Sequence, residues 1–214
     1  MEPYIAYFSS NGGRYCEALI RHLAVSGIAV ALACAFAWPL GIISAANKNA
    51  AKFITGIFAT LRIVPSLAIL FLCIPVMGTG IRPALTALAL LAAPPILINT
   101  TLAFTSFPSA VIETACALGM SRRRIFWTVK APLSLPLVLA GVKTAAVEVI
   151  ASATLAAYIG GGGLGEIIFT GLGLMRMELL LIGGISVAAL SLFIDWLLAG
   201  FEKIILFSLF GGHQ

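Results

Sequence analysis

Arg62, Lys143 and Glu148 each lie inside a long apolar stretch of the sequence. A charge at the centre of a membrane helix costs about 2.5–3.5 kcal/mol on insertion scales, so such residues face a bundle interior, a pathway or each other. Two readings stand side by side. In the functional one the three charges line a translocation path or its gate, and an acid at Glu148 suits a cationic cargo. In the bland one Arg62 and Lys143 snorkel to the surface and Glu148 pairs with a neighbour. Lys143 and Glu148 are five residues apart, off the favoured i, i+4 spacing, which makes them an unobvious mutual pair. The run Asn99-Thr100-Thr101 offers either polar lining or helix-to-helix hydrogen bonds of under about 2 kcal/mol each. No His/Cys/Glu cluster suggests a metal site, and no Ser/His spacing suggests a protease. The catalytic and metal-ligand sets are therefore expected to be empty. A Gly-x-x-x-x-Gly-Lys-Ser/Thr loop is missing too, so the chain is not expected to cradle nucleotide phosphates. Gly160–Gly163 has no following lysine, and it reads as a glycine-permitted turn or re-entrant bend at a gate, with Gly161 and Gly162 as its candidates.

The elements that hold these residues are membrane spans. Of 214 residues, 61% are hydrophobic and 10% charged, against about 25% charged in a soluble domain. Mean hydropathy is +1.10. A water-soluble globule could not cover that apolar surface. The fold class expected is an all-α polytopic membrane protein. A span needs about 20 apolar residues, and five stretches qualify: 22–46, 53–77, 83–104, 132–159 and 178–206. Residues 1–21 carry Ser9, Ser10, Asn11, Gly12 and Gly13 and read as a separate interfacial segment, too polar and broken to span. Residues 207–214 read as a tail. Pro65, Pro94 and Pro95 are expected to kink their spans. His22 and His213 read as an interfacial and a tail residue.

The net charge of +5 would raise a nucleic-acid question in a soluble protein. Here it reads as the positive-inside bias, with lipid rather than nucleic acid as the surroundings. With the N-terminus outside, the inner set is Lys48, Lys52, Arg122, Arg123, Arg124, Lys130 and Lys203. The outer set, Arg14, Arg21, Arg82 and Arg176, is smaller and offset by Glu2, Glu17, Glu166 and Glu178. The orientation expected is N-out and C-in. Cys16, Cys34, Cys73 and Cys116 then fall outside, in a span, in a span and inside, which argues against disulfides.

The loop 105–131 between spans three and four is the unusual one. Ser106 is placed to cap a helix with Pro108 in its first turn. Ile112, Ala115 and Gly119 fall on one face, and Gly119 is a natural terminator. Ser121 caps a second short helix, carrying Arg122-Arg123-Arg124, expected to stop before Pro132. Two short helices outside the bilayer make a protrusion, the form of a docking surface.

Glu113-Thr114-Ala115, then Gly119, then Val129-Lys130-Ala131-Pro132 resembles the EAA loop of ABC-importer permeases. Glu113, Ala115, Gly119 and Pro132 match that pattern at its spacing, whereas Thr114, Val129 and Ala131 depart from it. The resemblance extends over about 55–203. Ile63-Val64-Pro65-Ser66-Leu67-Ala68, the turn at Gly78-Thr79-Gly80, Ile159–Gly165, and Gly183-Gly184 with Ile194-Asp195 look like the osmoprotectant branch, permeases for glycine betaine, choline, carnitine and similar quaternary amines. Methionine-importer permeases share the loop and the five spans. The resemblance implies a type I importer permease paired with a second permease subunit, identical or homologous. It also implies two cytoplasmic ATP-binding subunits and an extracytoplasmic substrate-binding protein, in a bacterial cytoplasmic membrane. On that reading this chain binds no cofactor, and ATP and magnesium belong to the ATPase. Glu113, Thr114, Ala115, Gly119, Arg122, Arg123 and Pro132 form the ATPase-coupling set. Arg62, Asn99, Lys143, Glu148, Gly161 and Gly162 are the path and gate candidates.

Overall fold

A computed structural model describes residues 2–210, and all regular structure among them is helical. The long elements are α1 (Glu2–Ser44), α4 (Ile81–Thr105), α7 (Ala131–Ala156) and α9 (Met177–Phe210). Between them lie α2 (Lys48–Leu61), α3 (Ser66–Met77), α5 (Ser109–Ala117), α6 (Arg122–Ile125) and α8 (Leu164–Gly173). Four helices are long and apolar enough to cross a membrane, and α2 with α3 makes a fifth, bent candidate.

α4 is the hub. It packs against α1 on one side and α7 on the other, with α2 and α3 also against it. Its inward residues are small: Ala84, Ala87, Ala92 and Ala93 are fully buried beside Leu88, Ile96 and Leu97. Small residues let helix backbones approach, which in lipid replaces the hydrophobic drive that water would supply. A side chain at Gly41 of α1 would meet Thr100, and one at Gly141 of α7 would meet Asn99. α4 is therefore clasped tightly from both sides. It runs through Pro94 and Pro95 without a break, so those two prolines are not helix ends.

Two boundaries differ from expectation. Residues 2–21 are not a separate segment but the first half of α1, one helix of 43 residues. Their polar side chains are accommodated by neighbours: Tyr15 hydroxyl hydrogen-bonds Ser186 of α9 at 2.7 Å, and Tyr7, Asn11 and Arg14 line a groove against α8 and α9. Residues 53–77 form not one unbroken helix but a span bent at Pro65, where the sequence predicts a kink. The helix ends at Leu61 and restarts at Ser66 with a 91° bend. Pro65 is the cause, since it pushes Val64 out of the helical region and brings no N–H of its own. At the C-terminal end α9 continues to Phe210, so a tail starting at 207 is not separate. Residues 211–214, with His213, lie outside the described residues. His22 is not interfacial in its packing: it is 1% exposed, and its Nε2 donates to the Ile150 carbonyl of α7 at 3.0 Å.

Candidate functional site

The loop after α4 begins with a correction. Ser106 does not cap the following helix: its hydroxyl turns back to donate to the Leu102 carbonyl at 2.7 Å, closing α4. Pro108 is the residue ahead of α5. On α5, Ala115 is buried and Ile112 half-buried, while Glu113 and Thr114 are exposed. The acidic side chain of the motif thus points away from the protein. Gly119 takes φ +73°, a left-handed value that costs an L-residue about 1–2 kcal/mol, and so ends the helix. Ser121 then caps α6, its hydroxyl accepting from the Arg124 N–H at 3.3 Å, and Arg122 and Arg123 stand exposed.

The second loop helix does not stop before Pro132. Five residues of π-helix, Phe126–Lys130, join α6 directly to α7, and Pro132 falls in the first turn of α7, where it needs no backbone donor. Phe126 stacks on Phe104 at 5.7 Å, and Lys130 sits 6.0 Å from the Phe107 ring centre. The coupling set is therefore an exposed arm fixed to the end of α4 and continuous with α7.

The charges inside the spans are paired. Arg62, in the break between α2 and α3, donates from Nη2 to Glu148 Oε1 of α7 at 3.1 Å. Lys143, on the same helix, lies 3.5 Å from Asp195 of α9. Glu148 thus pairs with a neighbour, as the bland reading has it, and each cation has an acidic partner on another element. The Arg62–Glu148 pair borders a cavity of about 270 Å³, lined also by Val64, Ser66, Leu91, Pro94 and Ser152. Pro95 has no N–H to give the Leu91 carbonyl, so α4 presents a freed backbone acceptor at a cavity residue. Both charged side chains remain close to half exposed, 47% and 43%. An ion pair of that exposure cannot face hydrocarbon without cost, so its open side belongs to a protein neighbour or a water-filled path.

Asn99 does not reach that cavity wall. It donates to its own helix at the Pro95 carbonyl, 2.8 Å, against Gly141. Thr100 likewise bonds the Ile96 carbonyl at 2.7 Å. Only Thr101 crosses helices, reaching Ser44 hydroxyl of α1 at 2.8 Å. Gly161 and Gly162 sit far from the loop, in the turn ahead of α8. Gly161 faces Ala84 of α4, and a side chain at Gly162 would strike Arg21. Gly163 has φ +87° and abuts His22 Nδ1, which has no hydrogen-bond partner among the described residues. The adjoining loop is pinned by Gly80 N–H donating to the Ile159 carbonyl at 2.7 Å. Sequence reasoning did not assign the Arg62–Glu148 partnership, the Lys143–Asp195 partnership or the buried His22. Their separations of 86, 52 and 128 residues leave no local signal.

The described residues thus form a bundle of apolar helices around the buried α4, with an arm that carries an exposed acid. Residues 37–205 match the family described as binding-protein-dependent transport system inner membrane component, and the chain belongs to that family. Among its relatives are the carnitine transport permease protein OpuCB of Listeria monocytogenes, 40% identical over 94% of this chain and 93% of that protein, and the choline transport system permease protein OpuBB of Bacillus subtilis, 36% identical over 95% and 94%. The osmoprotectant import permease protein OsmW of Salmonella typhimurium is 32% identical over 94% and 96%. Among solved structures, an inward-facing MetNI methionine ABC transporter chain superposes with a TM-score of 0.79 at 19% identity, covering 89% of this chain and 95% of that one. That likeness is one of fold.

Proposed function

We propose that this chain is the membrane subunit of an ATP-driven importer for osmoprotectants such as glycine betaine, carnitine or choline. It works with a second permease subunit, two ATP-binding subunits and an extracytoplasmic binding protein. The observation that carries the reading is the exposed arm α5–α6, whose Glu113 projects outward while its root runs unbroken into α7. Movement of an ATPase groove that holds α5 would travel through the π-helical joint into the helix bearing Lys143 and Glu148. Rigid elements with two packings transmit motion in this way, and a slack loop would not. Glu113, Thr114, Ala115, Gly119, Arg122, Arg123 and Pro132 are its contact and hinge residues. ATP and magnesium sit on the partner ATPase. The arm and its lysines and arginines lie on the cytoplasmic side, with the N-terminus outside. The chain names of its relatives favour osmoprotectants over methionine, for which only the fold of MetNI speaks.

Two measurements test this. In pull-downs of the co-expressed transporter, Glu113→Lys should lower recovery of the ATPase by about tenfold, since it reverses the charge of the acid that the arm exposes. Equal recovery would sink the coupling assignment. In cells carrying the complete transporter, labelled betaine or choline should accumulate and labelled methionine should not. Methionine uptake without betaine or choline would reverse the substrate assignment.

A further inference from the structure

We infer that the Arg62–Glu148 pair is an exchangeable ion pair that selects zwitterionic cargo. The inference rests on the osmoprotectant reading and deepens it, by assigning a charge type to the molecule that passes. The geometry has four parts. The pair is single-contact: one guanidinium nitrogen meets one carboxylate oxygen at 3.1 Å, and neither residue has another ionic partner among the described residues. A guanidinium carries five N–H groups and a carboxylate about four acceptor positions, so most of the bonding capacity on each side is unused. The pair borders a cavity of about 270 Å³ whose other polar side chains are the hydroxyl-bearing Ser66 and Ser152. It also sits where, among the described residues, a candidate span is bent, between Leu61 and Ser66, so Arg62 rides on backbone outside either helix.

A half-exposed ion pair within a membrane bundle opens at least cost when both charges are satisfied as it opens, because a charge left unpaired away from bulk water is penalised. A zwitterion does this in one step. Its carboxylate takes the Arg62 guanidinium, its ammonium takes the Glu148 carboxylate, and the total charge of the site is zero before and after. No proton or counterion has to move. A plain cation satisfies Glu148 and strands Arg62; a plain anion does the reverse. The pair therefore closes the path when empty and favours molecules carrying both charges when open. Lys143 and Asp195 are a second α7 pairing that faces α9, and they take no part in this exchange.

The test is uptake by the complete transporter in cells, with labelled glycine betaine as the zwitterion and labelled choline as the cation, for wild type, Arg62→Gln, Glu148→Gln and the double variant. Membrane levels of the assembled complex are measured for each, so that rates are per folded transporter. Wild type should favour betaine. Arg62→Gln leaves an anionic site and should shift the betaine-to-choline ratio towards choline by at least about tenfold. Glu148→Gln should depress both, choline more than betaine, and the double variant should lose most of the discrimination. The reversed pair, Arg62→Glu with Glu148→Arg, should recover assembly if either single variant assembles poorly, with betaine again favoured. Parallel changes in both substrates across the series would mean a structural brace and overturn the exchange, as would an unchanged ratio in Arg62→Gln. A wild-type complex that moves neither substrate overturns the osmoprotectant reading itself, a result distinguishable from failure of the exchange alone.

Discussion

Single residues set where this chain can turn, and two glycines separate conformational strain from crowding. Gly119 and Gly163 both have left-handed φ, but a side chain at Gly119 would enter open space, whereas one at Gly163 would lie 2.8 Å from His22 Nδ1. Gly119→Ala should therefore cost about 1–2 kcal/mol from backbone alone, and Gly119→Asn, which tolerates that region, should recover most of it. Gly163→Ala and Gly163→Asn should both destabilise more, with no rescue by asparagine. Thermal melting of the detergent-purified complex checks this, and recovery of Gly163→Asn to wild-type stability would contradict the crowding at His22. His22 shows why some residues are opaque in a sequence. Nothing near it in the chain says that a carbonyl 128 residues away will be its partner. The paired charges were half legible: cost alone says that Arg62 and Glu148 need company, but which company is a tertiary fact.

Elements were legible where hydropathy and length agree, as in α4, α7 and α9. They were misread where local composition and tertiary packing disagree. Ser9 to Gly13 lowers helix propensity enough to look like a break, yet α8 and α9 lie alongside and α1 continues through it. The span at 53–77 was legible, apolar enough to cross and bent at Pro65 where the sequence predicts a kink, although the size of the bend, 91°, was not. Within the loop the stop at Gly119 and the cap at Ser121 were legible, because they are local chemistry; the cap expected at Ser106 was not, since that hydroxyl closes α4 instead, nor was 126–130, because a π-turn has no such signature. That joint fixes the rotational phase between arm and span. A π-turn holds more residues than an α-helical turn, so removing one residue from 126–130 should leave the helix content intact and change the bearing of the arm on α7. Deletion of Thr128 should preserve expression and the circular-dichroism signal while reducing uptake to background, and retained uptake would show that the arm's bearing is unimportant.

At the scale of the molecule, both ends carry an accessible thiol. Cys16 is exposed on the first half of α1 and Cys116 on the loop arm, while Cys34 and Cys73 are half-buried within the bundle. The N-out assignment predicts that a membrane-impermeant maleimide labels a variant retaining only Cys16 in intact cells. A variant retaining only Cys116 should label only after the membrane is opened. The opposite pattern would invert the topology and place the arm outside, away from any ATPase. The central helix has a consequence for how the protein is made. α4 is clasped by α1 through Gly41 and by α7 through Gly141, and α7 is the later of the two to be synthesised. At about 5–20 residues per second, the 25 residues between Thr105 and Ala131 take seconds to emerge. For that interval α4 is a nascent helix with one flank docked and the other facing lipid or the insertion machinery. Its second flank, where Pro95 and Asn99 meet Gly141, closes on α7 only when that helix arrives.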